Sequence, residues 1–152
     1  MMEMNEVRKQ SLLVIEDSDE DFAALERAIA KTKTLDSLHR CEDGEDALDF
    51  LYHEGEYQDE IFFPRPSLIV LDLNLPGTDG REVLAVLKQD RELQSIPVII
   101  FSTSSNPKDI DTCYQHGVSG YMVKPMDTSR LNRSIETFLE YWFKVVELPN
   151  QV

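Results

Sequence analysis

The sequence predicts an α/β fold, a doubly wound parallel sheet of five strands with helices on both faces. Short apolar runs alternate with segments whose apolar residues recur at helical spacing, which is typical of repeated βα units. Three runs are almost continuous Val, Ile, Leu and Phe, as in strands that are buried on both faces of a parallel sheet. The predicted strands are residues 11–15, 38–41, 67–71, 98–101 and 120–123.

The predicted helices begin at residues that can cap them. The candidate caps are Ser18 or Asp19, Asp43 or Gly44, Asp79, Asn106 followed by Pro107, and a residue near Asp127. The last helix is expected to run to about Val145, and residues 52–66 to form an extended loop. Right-handed crossovers leave few arrangements, of which the flavodoxin-like strand order 2-1-3-4-5 is the natural one.

The length of 152 residues indicates one domain. We expect a flexible N-terminus over residues 1–10, a domain over 11–146 with a long last helix, and a C-terminal tail over 147–152. So short a tail predicts no attached output domain, and therefore action through protein contacts. Cys41 and Cys113 are interpreted as small apolar residues rather than a disulfide pair.

The charge of the chain restricts its partners. It carries 29 acidic against 15 basic residues, a formal charge of −14, which repels nucleic-acid backbones and anionic membranes. No apolar run approaches the roughly 20 residues of a membrane-spanning helix. Residues 1–10 lack the apolar core of a signal peptide. We therefore expect a cytoplasmic protein that binds neither nucleic acid nor membranes.

Polar side chains follow four of the predicted strands, at the edge where this architecture binds ligands. They are Glu16 and Asp17, then Asp72, then Ser102 and Thr103, and finally Lys124. Two carboxylates about 4 Å apart repel by on the order of 4 kcal/mol at an effective dielectric constant near 20. A divalent cation would offset this repulsion, and ligands that are all oxygen favour Mg²⁺.

A carboxylate between Mg²⁺ and a lysine is a plausible nucleophile towards phosphorus, since aspartyl phosphate is a recognised intermediate. Lys124 and the metal would neutralise the transferring oxygens, and the Ser102 hydroxyl would hydrogen-bond the bound phosphoryl group.

Four motifs resemble bacterial response-regulator receiver domains of the CheY type. They are Leu-Leu-Val-Ile-Glu-Asp at 12–17, Leu-Asp-Leu-Asn-Leu-Pro-Gly at 71–77, Ser-Thr at 102–103 and Val-Lys-Pro at 123–125. The resemblance implies Asp72 as phosphoacceptor, Mg²⁺ on Glu16, Asp17, Asp72 and the Asn74 carbonyl, phosphoryl contacts from Lys124 and Ser102, and Ser102 and Tyr121 as switch residues. It also implies a sensor histidine kinase as partner and a Lys124–Pro125 bond that is often cis.

A subgroup matches more closely. Residues 52–57, 73–77 and 141–143 resemble the Rcp-type stand-alone regulators that pair with cyanobacterial phytochrome kinases. This implies a phytochrome-type kinase and an unknown downstream protein. Ser102 stands where threonine is commoner, and Ser104 lies two residues later, so the lifetime of the phosphoryl group stays open.

The C-terminal apolar stripe is too wide for a single core contact. We predict that it forms a homodimer, with Phe138, Leu139, Trp142, Phe143 and Val146 as candidate interface residues. The alternative is a long helix that packs wholly on its own domain.

Other functions remain as alternatives to a signalling protein with weak autophosphorylation and autodephosphorylation. An aspartate-nucleophile phosphatase needs a second acid two positions after its nucleophile, where this chain has Asn74. A flavodoxin-like cofactor binder needs a hydroxyl-rich loop after the first strand, but residues 16–21 are acidic or serine. A phosphorylation-independent dimeric scaffold also stays open.

Overall fold

The computed structural model describes residues 10–149, within which five strands form one parallel sheet. The strands are β1 (Ser11–Ile15), β2 (Ser37–Cys41), β3 (Leu68–Leu71), β4 (Val98–Ser102) and β5 (Gly120–Val123). Their order is β2-β1-β3-β4-β5, which confirms the predicted fold class. Ile15 is in register with both Cys41 and Leu71, so the carboxyl ends of the strands lie at one edge of the sheet.

The helices begin where capping residues were expected. They are α1 (Asp19–Thr32), α2 (Gly44–Tyr52), α3 (Gly80–Gln89), α4 (Pro107–Gln115) and α5 (Thr128–Glu140). Their caps are Ser18, Asp43, Asp79, Asn106 and Asp127, and each side chain accepts a hydrogen bond from a first-turn amide. The structure therefore decides for Ser18 over Asp19 and for Asp43 over Gly44.

Two apolar clusters lie on opposite faces of the sheet in the described part of the chain. Leu13 and Ile15 belong to the cluster under α2, α3 and α4, whereas Leu12 and Val14 belong to the cluster under α1 and α5. This alternation along β1 explains why the whole strand is apolar. Cys41 and Cys113 are buried and unbonded to each other.

The connection between α2 and β3 is the long loop that the sequence predicts, and it contains an ordered turn. It contains a 3₁₀ turn (Gly55–Tyr57), and the Tyr57 ring is buried. Tyr57 packs edge-on against Phe63 at a centroid distance of 4.9 Å, while Phe50 stacks on His39 of β2 at 4.4 Å. These aromatic contacts hold the connection against the edge strand.

At the end of α5, part of the predicted dimer face packs into the chain's own core. Helix α5 passes into a π-helical turn (Tyr141–Val145), where the Val146 amide donates to the Tyr141 carbonyl at 2.8 Å. Phe143, four residues after the buried Leu139, packs into the chain's own core beside Phe138 and Leu139.

The predicted interface therefore needs correction for Phe138, Leu139 and Phe143, which are core residues. Trp142 and Val146 are half-buried against the same cluster. Tyr141 and Val145 are the exposed apolar residues of this turn.

The chain ends differ in how far they are described. The expected flexible N-terminus lies outside the described residues, apart from Gln10, whose amide donates to Asp36 Oδ2 at 2.7 Å. Of the expected tail, Leu148 is buried on the α1/α5 cluster. Across residues 10–149, no helix has the length and apolar character needed to cross a bilayer.

Candidate functional site

The site lies at the carboxyl edge of the sheet. Glu16 and Asp17 follow β1, Asp72 follows β3 and Lys124 follows β5. One carboxylate oxygen from each of the three acids lies within 4.8 Å of the others. Glu16 and Asp72 are buried, and Asp17 is exposed. The strand register thus brings together the acids that the sequence separates by more than fifty positions.

Lys124 is the cation of this cluster. Its Nζ lies 2.6 Å from Glu16 Oε1, 2.9 Å from Asp21 Oδ2 and 3.0 Å from Asp72 Oδ2. Burial by itself would lower the pKa of Lys124, but hydrogen bonds to Glu16 and Asp21 outweigh it and hold the pKa above its usual range. The ammonium therefore stays charged and offsets the repulsion that the sequence predicts.

Asp21 is a site residue that sequence reasoning missed. Its position in the sequence indicates only an acid that, like Asp19 and Glu20, stabilises the start of α1 through the helix dipole. Its amide donates to Ser18 Oγ at 3.3 Å, and its carboxylate contacts Lys124. The available signal was its place in the first turn after the acidic loop, at the same edge of the sheet.

Glu16 is the most perturbed group of the site. Burial, and then a hydrogen bond shared with Asp72, raise the pKa of Glu16 to about 8, although Lys124 opposes this shift. Oε2 accepts the Ser18 amide at 3.2 Å, and buried Oε1 lies 2.6 Å from the Lys124 ammonium. A buried carboxylate oxygen whose close partner is a cation is the type of ligand that a metal ion accepts.

The donor set fits a hard divalent cation. Glu16, Asp17 and Asp72 offer oxygen atoms, and residues 10–149 contain no His or Cys in this cluster. Oxygen ligands with one solvent-exposed member are the type that Mg²⁺, Mn²⁺ and Ca²⁺ accept. The acidic pocket is thus a candidate site for a divalent metal.

Arg40, on β2, supports the loop that carries Glu16 and Asp17 after β1. Sequence reasoning missed this residue too. Its Nε donates to the Glu16 carbonyl at 3.0 Å, and its Nη2 lies 2.8 Å from Asp19 Oδ1. The guanidinium also covers the Phe22 ring at 4.9 Å. These contacts fix the backbone that carries Glu16 and Asp17.

The turn after Asp72 is tightly packed. Asp72 Oδ1 accepts the Asn74 amide at 3.1 Å. A Cβ at Gly80 would lie 2.2 Å from the Asp72 carbonyl oxygen, so α3 can begin this close to the strand only with glycine. The Lys124–Pro125 bond is trans, as most X–Pro bonds are. This differs from the cis bond that the resemblance implies.

Ser102 and Tyr121 meet at the loop after β4. Ser102 is fully buried, and its Oγ accepts the Ser104 amide at 3.2 Å. The Tyr121 hydroxyl donates to the Ser104 carbonyl at 2.8 Å. The two predicted switch residues are therefore joined through Ser104.

A comparison with known families decides what kind of protein carries this site. The family described as "Response regulator receiver domain" matches residues 12–136. The chain belongs to this family. As a receiver it is a response regulator of two-component signalling, which favours the signalling interpretation over the phosphatase and cofactor-binding alternatives.

This receiver is similar to named response regulators over almost its whole length. It is 40% identical over 139 residues to response regulator Rcp1 from Synechocystis, covering 91% of this chain and 92% of Rcp1. The crystal structure of Mn²⁺-bound Rcp1 superposes with a TM-score of 0.86 at 39% identity, covering 93% of this chain and 99% of that one.

A second solved structure is that of the phosphorylated cyanobacterial phytochrome response regulator RcpA. It superposes with a TM-score of 0.88 at 36% identity, covering 94% of this receiver and 100% of RcpA. Both comparisons extend over almost the whole length of each protein.

Proposed function

We propose that this receiver accepts a phosphoryl group on Asp72 from a phosphohistidine of a sensor histidine kinase. The observation that carries the proposal is the position of Asp72, a buried carboxylate 3.0 Å from Lys124 at an edge that also holds two further acids. In the transfer, an Asp72 carboxylate oxygen forms the new bond to phosphorus. The histidine N–P bond breaks, and its electron pair stays on the imidazole.

Two residues support this chemistry directly. The Lys124 ammonium neutralises negative charge on the oxygens of the transferring group. The Ser102 hydroxyl, which ends the strand beside that of Asp72, donates a hydrogen bond to the phosphoryl group once it is bound. Ser102 and Tyr121 then act as the switch pair.

We further propose Mg²⁺ as the metal, held by Glu16, Asp17, Asp72 and the Asn74 carbonyl. When bound, Mg²⁺ supplies positive charge against the phosphoryl oxygens. The all-oxygen donor set and the buried Glu16 Oε1 support this choice. Mg²⁺ is also the metal most often shared between carboxylates and phosphate.

The similar proteins support a choice of kinase partner. We propose that a phytochrome-type kinase supplies the phosphoryl group, because the name of RcpA describes it as a phytochrome response regulator. The receiver then acts in the cytoplasm as a signalling protein rather than as a turnover enzyme, and it signals through contacts with a downstream protein.

The first test is intact mass after incubation with acetyl phosphate and Mg²⁺. Wild type is expected to gain one phosphoryl group, as the acetyl O–P bond breaks and acetate leaves. Asp72→Asn should gain none, while the control Asp111→Asn, an exposed acid on α4, should behave as wild type. Equal labelling of Asp72→Asn would contradict the assignment of the acceptor.

The second test addresses the kinase. Phosphotransfer from a purified phytochrome kinase is compared with transfer from a kinase that carries no phytochrome, at equal concentrations. We expect faster transfer from the phytochrome kinase. Equal rates from both would leave the receiver chemistry intact and remove the phytochrome assignment.

We also propose that the receiver forms a homodimer through the end of α5. Exposed Tyr141 and Val145 and half-buried Trp142 and Val146 support this, and a groove of about 640 Å³ lies beside them between β5 and α5. Sedimentation should show a dimer that Val145→Asp weakens. A monomer at tens of micromolar would exclude it, and a dimer in a chain that takes no phosphoryl group would favour the scaffold alternative.

A further inference from the structure

Ser104 joins the two switch residues to the rest of the fold. Its amide donates to Ser102 Oγ at 3.2 Å, and its carbonyl accepts the Tyr121 hydroxyl at 2.8 Å. Its own hydroxyl donates to Asp109 Oδ2 at 2.6 Å. A movement of Ser104 would therefore disturb Ser102 and Tyr121 together.

Asp109 is in turn fixed by α3. Arg81 Nη2 lies 3.1 Å from Asp109 Oδ1, and Arg81 Nη1 lies 3.2 Å from Asp79 Oδ1, the cap of α3. The Ser104 hydroxyl and then Arg81 lower the pKa of Asp109, so this carboxylate is ionised at neutral pH. An ionised carboxylate can only accept, which fixes the Ser104 hydroxyl as the donor.

These hydrogen bonds orient the Ser102 hydroxyl. Ser102 Oγ accepts the Ser104 amide, and the same hydroxyl has one proton to donate. Ser102 is fully buried at the end of the strand adjacent to that of Asp72. A hydroxyl held in this way is prepared to donate to a phosphoryl oxygen, whereas a loose loop would let it turn away.

We propose that Ser104, Asp109 and Arg81 are positioning residues that hold the Ser102 hydroxyl and Tyr121 ready for the phosphoryl group. The proposal rests on phosphorylation of Asp72. Helix α3 follows the Asp72 turn and α4 follows the Ser102 loop, so the Arg81–Asp109 pair ties together the two segments that flank the acceptor.

The test measures the affinity for beryllofluoride, a phosphoryl analogue, and the rate of phosphorylation by acetyl phosphate, both with Mg²⁺. Ser104→Ala and Asp109→Ala are each expected to weaken binding and slow phosphorylation on the order of three- to tenfold, the range for one lost hydrogen bond. The double variant should match Ser104→Ala, because residues acting through one network are not additive. Arg81→Lys should retain more affinity than Arg81→Gln.

Two exposed acids provide matched controls, Asp111→Ala on α4 and Glu82→Gln on α3, which should bind and react as wild type. A ¹⁹F spectrum of fluorotyrosine-labelled protein, with the Tyr121 signal assigned by Tyr121→Phe, should shift in Ser104→Ala and Asp109→Ala but not in the controls. This readout follows the switch side chain itself.

The outcomes separate this inference from the proposed function. If wild type takes up no phosphoryl group, the proposed function fails together with the positioning role that rests on it. If wild type reacts but Ser104→Ala and Asp109→Ala match it in affinity and rate, only the positioning role is overturned. Variants with a lowered melting temperature but unchanged affinity would also overturn it, since the network would then merely fasten α4 to α3.

Discussion

Replacing Lys124 by methionine isolates the role of its charge in folding. Methionine keeps an unbranched stem that can pack against Phe101, but it removes the ammonium from Glu16, Asp21 and Asp72. A buried carboxylate without its counter-ion strongly destabilises a fold. We therefore expect Lys124→Met to lower the free energy of unfolding in the absence of divalent ions.

The size of this loss is limited by protonation. Attraction across 3.0 Å at an effective dielectric constant of 20 amounts to about 5.5 kcal/mol. An unpaired carboxylate can take up a proton instead, which for an ordinary aspartic acid of pKa 3.9 costs about 5 kcal/mol at pH 7.5 and about 1.5 kcal/mol at pH 5. We expect a loss of roughly 3 kcal/mol at pH 7.5 and about 1 kcal/mol at pH 5.

Urea unfolding in EDTA at both pH values measures this loss. Lys88→Met is the matched control, because Lys88 Nζ donates to the carbonyls of Gln94 and Ile96 rather than to carboxylates. Its effect should be similar at the two pH values. A loss from Lys124→Met that is equal at both, or below about 1 kcal/mol at pH 7.5, would refute the reasoning.

Three further predictions concern the same edge of the sheet. The pKa of Glu16 is raised in the fold, so between about pH 5 and pH 8 the native state binds more protons than the unfolded chain does. The free energy of unfolding without divalent ions should therefore fall as the pH rises through this range, and Glu16→Gln should flatten this dependence in urea unfolding. Gly80→Ala should cost about 1–3 kcal/mol in the same assay and slow phosphorylation of Asp72, because its Cβ would press on the Asp72 carbonyl. Arg40→Gln should weaken Mg²⁺ binding on the order of tenfold in calorimetry, because it removes the hydrogen bond to the Glu16 carbonyl. An unchanged affinity would show that Arg40 does not help to hold the metal ligands in place.

The fold was predictable because its signals are local. Strands β1, β3 and β4 are short apolar runs, and each helix begins at a side chain that caps its own first turn, as Asp43 and Asn106 do. The end of α5 was not predictable in this way. The spacing places Leu139 and Phe143 on one apolar face, but it does not encode whether that face packs on a second chain or on the chain's own core.

The site was predictable where the strand order alone positions its residues. Asp72, Glu16 and Lys124 directly follow strands, and the parallel register brings them to one edge. Asp21 and Arg40 reach the site by side-chain direction rather than by strand order. Their contacts depend on how α1 and β2 are oriented, which the spacing of residues does not encode.

The charge balance of the cluster links its folding to its proposed chemistry. The repulsion among the acids suggested that a divalent cation must offset it, but the structure already places the Lys124 ammonium against Glu16, Asp21 and Asp72. One ammonium among these acids lets the site form, helped by the raised pKa of Glu16, which favours its neutral form. Phosphorylation turns the Asp72 carboxylate, of charge −1, into an acyl phosphate of up to about −2, and Lys124 alone cannot neutralise this added charge. The demand for a divalent cation therefore arises from the phosphorylated site rather than from the fold.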